Sequence, residues 1–167
     1  FADFERVVAV DLLGCLHGCQ AAARQMVAQG GGGAIVNTAS LAGITPGAGV
    51  TAYRAAKAGV VHATRSLALE LAEHGIRVNA VAPANIPTAM NAGFDMERTI
   101  ALTQPLPRTG TPADAAEAIL FLAGDRAAQV TGAVLPVDGG TSVGPPVQRL
   151  AEAMAVRPRP DDPPPAG

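Results

Sequence analysis

The chain has 167 residues with a formal net charge of −2, and 49% of its residues are apolar. This length and composition suit one globular domain with enough apolar residues for a core. Interspersed charges, one Tyr and no Trp argue against nucleic-acid binding. Because there is no apolar run of about 18 residues and no recognisable signal segment, we expect no membrane partner and a cytoplasmic location.

A first long helix is predicted from Asp3 to Gln29, because apolar residues recur there every three or four positions. Cys15 and Cys19 lie four residues apart within it, which puts both thiols on one helix face. We expect small reduced core residues there rather than a metal site. The glycines from 30 to 33 end this helix.

Three short apolar runs that fit strands of a parallel sheet follow at 34–39, 76–82 and 133–137. The first two are predicted to be buried on both faces, and the proline in the third places that strand at an edge or end. A second long helix is predicted from Thr51 to His74. Thr-Pro-x-Asp starts another helix, from 111 to about 123.

The alternation of helix and strand predicts an α/β fold with a Rossmann-like, doubly wound parallel sheet. Since two of only three strands need neighbours on both sides, we expect the sheet to be incomplete at its amino-terminal side. Residues 84–110 are predicted to form a mobile loop with short helical pieces. We assign residues 1–143 to one domain portion and 144–167 to a proline-rich tail that does not fold.

The only tyrosine and the only lysine of the chain, Tyr53 and Lys57, stand four residues apart on the predicted second helix. A four-residue step rises about 6 Å and returns to nearly the same face, so both side chains can point into one cleft. An ammonium beside a phenol stabilises the phenolate and so promotes proton exchange. Ser40 follows a strand, at the edge where open α/β sheets bind ligands. Tyr-x-x-x-Lys alone also occurs by chance in amphipathic helices.

Four segments together resemble the single-domain short-chain dehydrogenase/reductases: NTASLAG at 37–43, YRAAK at 53–57, RVNAVAPANIPTAM at 77–90 and GAVLPVDGG at 132–140. The resemblance implies a Rossmann-type domain that binds NAD or NADP and transfers a hydride between nicotinamide and a small alcohol or ketone substrate. It makes Tyr53 the general acid or base. Lys57 would favour the phenolate and hold the nicotinamide ribose, and Ser40 would position the substrate oxygen.

The resemblance also assigns residues around the second strand and in the first helix. Pro83, Ile86 and Thr88 would contact the cofactor, with the Ile86 backbone at the nicotinamide carboxamide and Thr88 at a phosphate or amide. Asp11 stands where the family usually has an asparagine, so the fourth catalytic member would carry a charge in place of an amide. The small-residue face of the second helix would join the first helix in a homodimer or homotetramer.

The chain departs from the family pattern in two further respects. Ala84 replaces the glycine after Pro83, and the glycine-rich phosphate loop and its strand are absent. The glycines from 30 to 33 are no substitute, because they precede a strand and open no helix. We therefore predict the carboxyl-terminal portion of an NAD(P)-dependent oxidoreductase that is inactive as this chain alone. The alternative is a non-enzymatic relative: a truncated gene product, or a dimerisation or scaffold domain.

Overall fold

The alternation of helix and strand that the sequence predicts is present, with two additional short helices, one within residues 84–110 and one after the last strand. The computed structural model describes residues 3–155. We label the long elements in chain order: helix α1 (Phe4–Val8, a π-helical turn Ala9–Leu13, and Gly14–Gln29), strand β1 (Gly33–Thr38), helix α2 (Thr51–Glu70), strand β2 (Ile76–Pro83), helices α3 (Met96–Thr103) and α4 (Pro112–Ala123), strand β3 (Val134–Val137) and helix α5 (Val147–Met154). Within the described residues, none of these helices is long and apolar enough to span a membrane.

The three strands form one parallel sheet in the order β1, β2, β3, which confirms the predicted fold class. Thr38 pairs with Val81, and Pro83 pairs with Val137, so the carboxyl ends of the strands lie at one edge of the sheet. Strand β2 is buried along almost its whole length. Strand β1 pairs on one side only within residues 3–155, as expected for a sheet that is incomplete there.

Helices α1 and α2 pack on the face of the sheet to which Val78 and Ala80 point, and these two residues belong to adjoining apolar clusters. The two cysteines lie in this layer. Their thiols are free and donate hydrogen bonds to Asn37 Oδ1, at 3.1 Å from Cys19 and 3.5 Å from Cys15. Cys19 is buried and Cys15 is half-buried, so both lie in the core layer, as the sequence predicts.

Asn79 points to the other face of β2, because side chains alternate along a strand. It is fully buried, with a relative exposure of 0%. Its Nδ2 donates to the carbonyl oxygen of Val130 at 2.8 Å, and its Oδ1 accepts from the backbone N–H of Ala133 at 3.0 Å. Asn79 therefore ties the central strand to the turn that precedes β3.

The turn after β3 begins at Asp138, and the carboxylate organises it. Asp138 is buried and accepts hydrogen bonds from the backbone N–H groups of Gly140 at 2.9 Å and Ser142 at 2.7 Å. Burial on its own would raise the pKa of this carboxyl. The hydrogen bonds from Ser142 and Gly140 outweigh burial and lower the pKa below its ordinary value.

Two predicted boundaries differ from the structure. The second helix ends at Glu70 rather than His74, and a 3-10 turn, Ala72–His74, leads to Gly75 in the left-handed conformation. The expectation of an unfolded tail from 144 is wrong for Val147–Met154, which form α5. These eight residues are mostly good helix formers that follow a proline, which suits a helix start. Residues 156–167 of the predicted tail lie outside the described residues.

Candidate active site

A cavity of about 290 Å³ lies at the carboxyl ends of β1 and β2. Two connections leave the sheet here, one from β1 to α2 and one from β2 to α3, which is the usual place for a ligand in an open α/β sheet. Five of the seven predicted site residues line the cavity: Ser40, Tyr53, Pro83, Ile86 and Thr88. The structure thus brings together residues that are up to 48 positions apart in the sequence.

Ser40 stands two residues after the end of β1 in an extended conformation, with φ −165°. Its Oγ accepts a hydrogen bond from the backbone N–H of Ala42 at 3.1 Å, which caps the short 3-10 turn Leu41–Gly43. Within residues 3–155 the hydroxyl donates no hydrogen bond. Its proton is therefore available to an oxygen atom in the cavity.

Tyr53 and Lys57 occupy successive turns of α2, as their spacing predicts. The Lys57 Nζ lies 5.7 Å from the centroid of the Tyr53 ring. The same ammonium donates a hydrogen bond to the carbonyl oxygen of Thr38 at 3.2 Å. Lys57 thereby links α2 to Thr38, the last residue of β1, which lines the cavity.

Asp11 forms an ion pair with Lys57, with 3.3 Å between Oδ1 and Nζ. The two side chains are 25% and 14% exposed, so water screens the pair only in part. Asp11 lies in the π-helical turn of α1, and such turns often occur at functional sites. The residue that stands in the family's asparagine position therefore contacts the lysine directly.

The turn after β2 has a conformation that explains the alanine at position 84. The backbone N–H of Ala84 donates to the carbonyl oxygen of Val137 at 3.1 Å, and its φ is not positive, so the backbone there does not require glycine. The left-handed residue is Asn85, with φ 51°. Asparagine tolerates this region better than most residues do.

Asn91 lines the cavity and was not identified from the sequence. Its Oδ1 accepts from the backbone N–H of Thr88 at 2.7 Å, and its Nδ2 donates to the carbonyl oxygen of Ile86 at 2.9 Å. Asn91 thus fixes two of the residues assigned to the cofactor, Ile86 and Thr88. The Thr-x-x-Asn spacing, which resembles a capping box, was the signal that could have identified it.

Gln104, at the end of α3, holds the Asn85 turn from the other side and was also missed. It is 4% exposed, and its Oε1 accepts from Asn85 Nδ2 at 3.0 Å. Its Nε2 donates to the carbonyl oxygens of Leu106 and Arg108, each at 2.7 Å. A glutamine in an irregular segment carries no local pattern, so only the tertiary structure identifies it.

The glycines that end α1 lie at the opposite edge of the sheet. Gly31 and Gly32 line a larger cleft of about 580 Å³ there, which contains none of the predicted site residues. They precede β1 rather than follow a strand, so they cannot serve the cavity at the other edge. Within residues 3–155, no group of three or more His, Cys, Asp or Glu residues is placed to hold a metal ion.

Comparisons with known proteins agree on one family. The model of a family described as enoyl-(acyl carrier protein) reductase matches residues 1–142. The chain is 48% identical over 141 residues to cis-4-hydroxycyclohexanecarboxylate dehydrogenase of Sinomonas cyclohexanicum, covering 83% of this chain and 56% of the relative. It is 46% identical over 138 residues to carbonyl reductase family member 4 of Danio rerio, with the same two coverages.

Solved structures show the same relationship. Acetoin dehydrogenase from Salmonella typhimurium matches with a TM-score of 0.77 and 39% identity, covering 86% of this chain and 58% of that one. A short-chain type dehydrogenase/reductase from Mycobacterium ulcerans matches with a TM-score of 0.79 and 33% identity, covering 90% and 57%. The chain therefore spans a little over half the length of the relatives it matches.

Proposed function

Because the chain belongs to the short-chain dehydrogenase/reductase family, we propose that it is the carboxyl-terminal portion of an NAD(P)-dependent oxidoreductase acting on an alcohol or carbonyl substrate. The observation that carries this proposal is the cavity at the strand ends, which Ser40 and Tyr53 line. Lys57 contacts the cavity lining through its hydrogen bond to Thr38. The relatives that the chain matches are named as dehydrogenases and reductases, which supports the same activity.

In this proposal Tyr53 gives its proton to the substrate oxygen during reduction and takes it back during oxidation. The Ser40 hydroxyl donates a hydrogen bond to the same oxygen and orients it. The Lys57 ammonium, close to the Tyr53 ring, stabilises the phenolate that forms when the proton leaves. Asp11 holds this ammonium through its ion pair and acts as the fourth member of the site.

The lining of the cavity fits the nicotinamide end of the cofactor. Pro83, Ile86 and Thr88 line it at the end of β2, where the Ile86 backbone N–H and the Thr88 hydroxyl could bond an amide or a phosphate. Bound there, NADH or NADPH would supply the hydride for reduction, and NAD⁺ or NADP⁺ would accept it in oxidation. The segment that the resemblance assigns to the pyrophosphate, a glycine-rich loop after the family's first strand, does not occur within residues 3–155. We therefore assign the adenine half of the cofactor to another part of the protein.

The free edge of β1 is the place where that other part would join. A parallel strand paired on one side leaves its outer N–H and C=O groups unpaired, which is costly unless another strand or solvent satisfies them. We propose that further strands of the protein pair with β1 and complete the sheet. On this view residues 3–155 alone lack activity, because half of the cofactor site is missing.

The substrate proposal follows from the relatives. One of them is named for a cyclic hydroxy acid, so hydroxycyclohexanecarboxylates and small hydroxyketones are the first compounds to assay. We also retain the proposal of a cytoplasmic location.

We further retain the proposal of a homodimer or homotetramer through the two long helices. Part of the small-residue face of α2 packs against α1 of the same chain, since a Cβ on Gly59 would lie 2.9 Å from Leu12 Cδ1. The exposed remainder around Ala55 would form the contact between copies.

The variant Tyr53→Phe tests the activity in the protein that carries this chain. Within residues 3–155 the Tyr53 hydroxyl makes no hydrogen bond, so its removal should leave the unfolding midpoint unchanged. Turnover of NADH or NADPH with the substrate panel should fall by roughly 10²-fold to 10⁴-fold, as expected for the loss of a general acid. Ser66→Ala, on the same helix and outside the cavity, is the control. Normal turnover in Tyr53→Phe would contradict the proposal.

The non-enzymatic alternative makes a different prediction about cofactor binding. It is favoured by the absence of a phosphate-binding loop, which would leave the protein unable to bind either nucleotide. Fluorescence titration of the whole protein with NADH and NADPH separates the two proposals. Saturable binding of one of them, weakened by substitution of Thr88, would exclude a purely structural role.

A further inference from the structure

Arg54 follows Tyr53 in the first turn of α2, and its guanidinium reaches back to the loop before the helix. Its Nη1 donates a hydrogen bond to the carbonyl oxygen of Thr45 at 2.9 Å. Its Nε is buried and has no acceptor, and no carboxylate within residues 3–155 forms an ion pair with it. Because an unpaired buried donor is unfavourable, packing against the loop must hold the guanidinium in place.

Gly47 leaves the space that the guanidinium fills. A Cβ on Gly47 would lie 2.5 Å from Arg54 Nη2 and 2.7 Å from Cζ. The φ of Gly47 is not in the left-handed region, so the close contact, rather than the backbone conformation, accounts for a glycine there. The loop ends at Val50, whose φ of 36° is strained for a β-branched residue. Such strain persists only where neighbouring contacts enforce it.

The loop held by Arg54 begins at Ser40. Both the backbone N–H and the Oγ1 of Thr45 donate to the carbonyl oxygen of Leu41, at 2.9 Å and 3.2 Å, so Thr45 is tied to the turn that Ser40 caps. At Gly43 this turn lies against the backbone of α2, where a Cβ would lie 2.6 Å from the carbonyl oxygen of Lys57. The Ser40 segment is thus docked on α2 at two points, Gly43 and Thr45.

We propose that Arg54 is a positioning residue that sets the distance between the hydroxyls of Ser40 and Tyr53. The inference rests on the proposed function, in which both hydroxyls act on one substrate oxygen. Within residues 3–155 no hydrogen bond joins Ser40 to Tyr53, so only the loop and the helix determine their separation. Arg54 shares the helical turn of Tyr53 and holds Thr45, and Thr45 is joined through Leu41 to Ser40.

Hydrogen–deuterium exchange on the protein that carries the chain tests the contact without any need for activity. In Arg54→Met, the amides of residues 43–45, which are hydrogen-bonded in the turn, should exchange at least several-fold faster. The matched control is Arg65→Met, an exposed arginine on the same helix, which should leave those amides unchanged. Unchanged exchange in Arg54→Met would overturn the proposal.

Gly47→Ala tests the same contact from the loop side. The added methyl group should displace the guanidinium and reproduce the faster exchange of Arg54→Met. In the double variant the methyl group has nothing left to displace, so the effect should be no larger than in Arg54→Met alone. If the effects of the two substitutions on amide exchange add up in the double variant, Gly47 and Arg54 do not act through one contact.

Kinetics then test the consequence for the site in the protein that carries the chain. Because misplacement by about 1 Å costs up to about 10²-fold, kcat in Arg54→Met should fall by roughly 10-fold to 10²-fold while the KM for NADH or NADPH stays unchanged. Arg54→Lys, which keeps one donor, should recover part of the loss. If the wild-type protein turns over substrate and Arg54→Met keeps the full kcat, the positioning role is overturned. A wild-type protein without turnover contradicts the proposed function instead, and the exchange data still decide whether Arg54 holds the loop.

Discussion

Replacing Gly43 by alanine tests how closely the Ser40 turn must approach the catalytic helix. A Cβ at this position would lie 2.5 Å from the carbonyl carbon of Lys57, 2.6 Å from its oxygen and 2.9 Å from the nitrogen of Ala58. These are backbone atoms of α2 and cannot rotate away. The φ of Gly43 is not positive, so alanine is otherwise compatible with the backbone there.

The expected magnitude follows from this geometry. An ordinary contact needs about 3.5 Å between carbon atoms, so the turn must move by about 1 Å. Overpacking of this kind typically costs about 1–3 kcal/mol. The stiffer unfolded chain of the alanine variant returns about 0.4–1 kcal/mol. We therefore expect Gly43→Ala to lower the free energy of unfolding by about 1–2 kcal/mol and to move Ser40 away from Lys57.

Urea unfolding measures this change, with Gly18→Ala as the matched control. Gly18 lies in the middle of α1, and nothing lies within 4 Å of a Cβ placed there. Alanine should therefore stabilise the helix by about 0.5–1 kcal/mol. The two substitutions add the same methyl group and should change stability in opposite directions. An equal or greater stability in Gly43→Ala would refute the close approach of the turn to α2.

Two further predictions concern buried polar groups that hold the sheet. Asn79→Ala removes the hydrogen bond to the Val130 carbonyl and leaves the N–H of Ala133 unpaired, so we expect a loss of about 2–4 kcal/mol in urea unfolding. A loss below about 0.5 kcal/mol would contradict the role of Asn79. The pKa of Asp138 is lowered in the folded state, so its stabilising contribution is complete above the unfolded pKa of about 3.9 and is lost as the pH falls through the folded value. In Asp138→Asn the free energy of unfolding should depend less on pH in this acidic range. An unchanged pH dependence would contradict the contribution of the Asp138 carboxylate.

The residues assigned from the sequence form a cavity because parallel strands end at one edge. Ser40 and Pro83 belong to different strand ends, yet the register of β1 and β2 places them side by side. The ion pair at the site could not be predicted from the sequence. The ion pair between Asp11 and Lys57 depends on how α1 packs across α2, and no spacing in the sequence reports that packing.

Local patterns were sufficient for elements whose stability is local. Helix α4 begins at Pro112 with Thr111 as its cap, as predicted, because the capping box with Asp114 is encoded within four residues. The glycines from 30 to 33 and the proline in β3 likewise marked a helix end and an edge strand. Helix α5 was missed because the proline content around it outweighed the helix formers within it.

The sequence by itself determined the α/β class, the order of the strands along the chain and the Ser, Tyr and Lys candidates, since periodicity, caps and short spacings are properties of neighbouring residues. Only the tertiary structure decided which distant residues support them: Asp11 against Lys57, Asn91 beneath Ile86, and Arg54 across the loop to Thr45. The first contact is an ion pair that depends on how α1 packs on α2, and the other two are hydrogen bonds to backbone carbonyls. A carbonyl is present in every residue, so no side-chain pattern in the sequence could have specified which one is used.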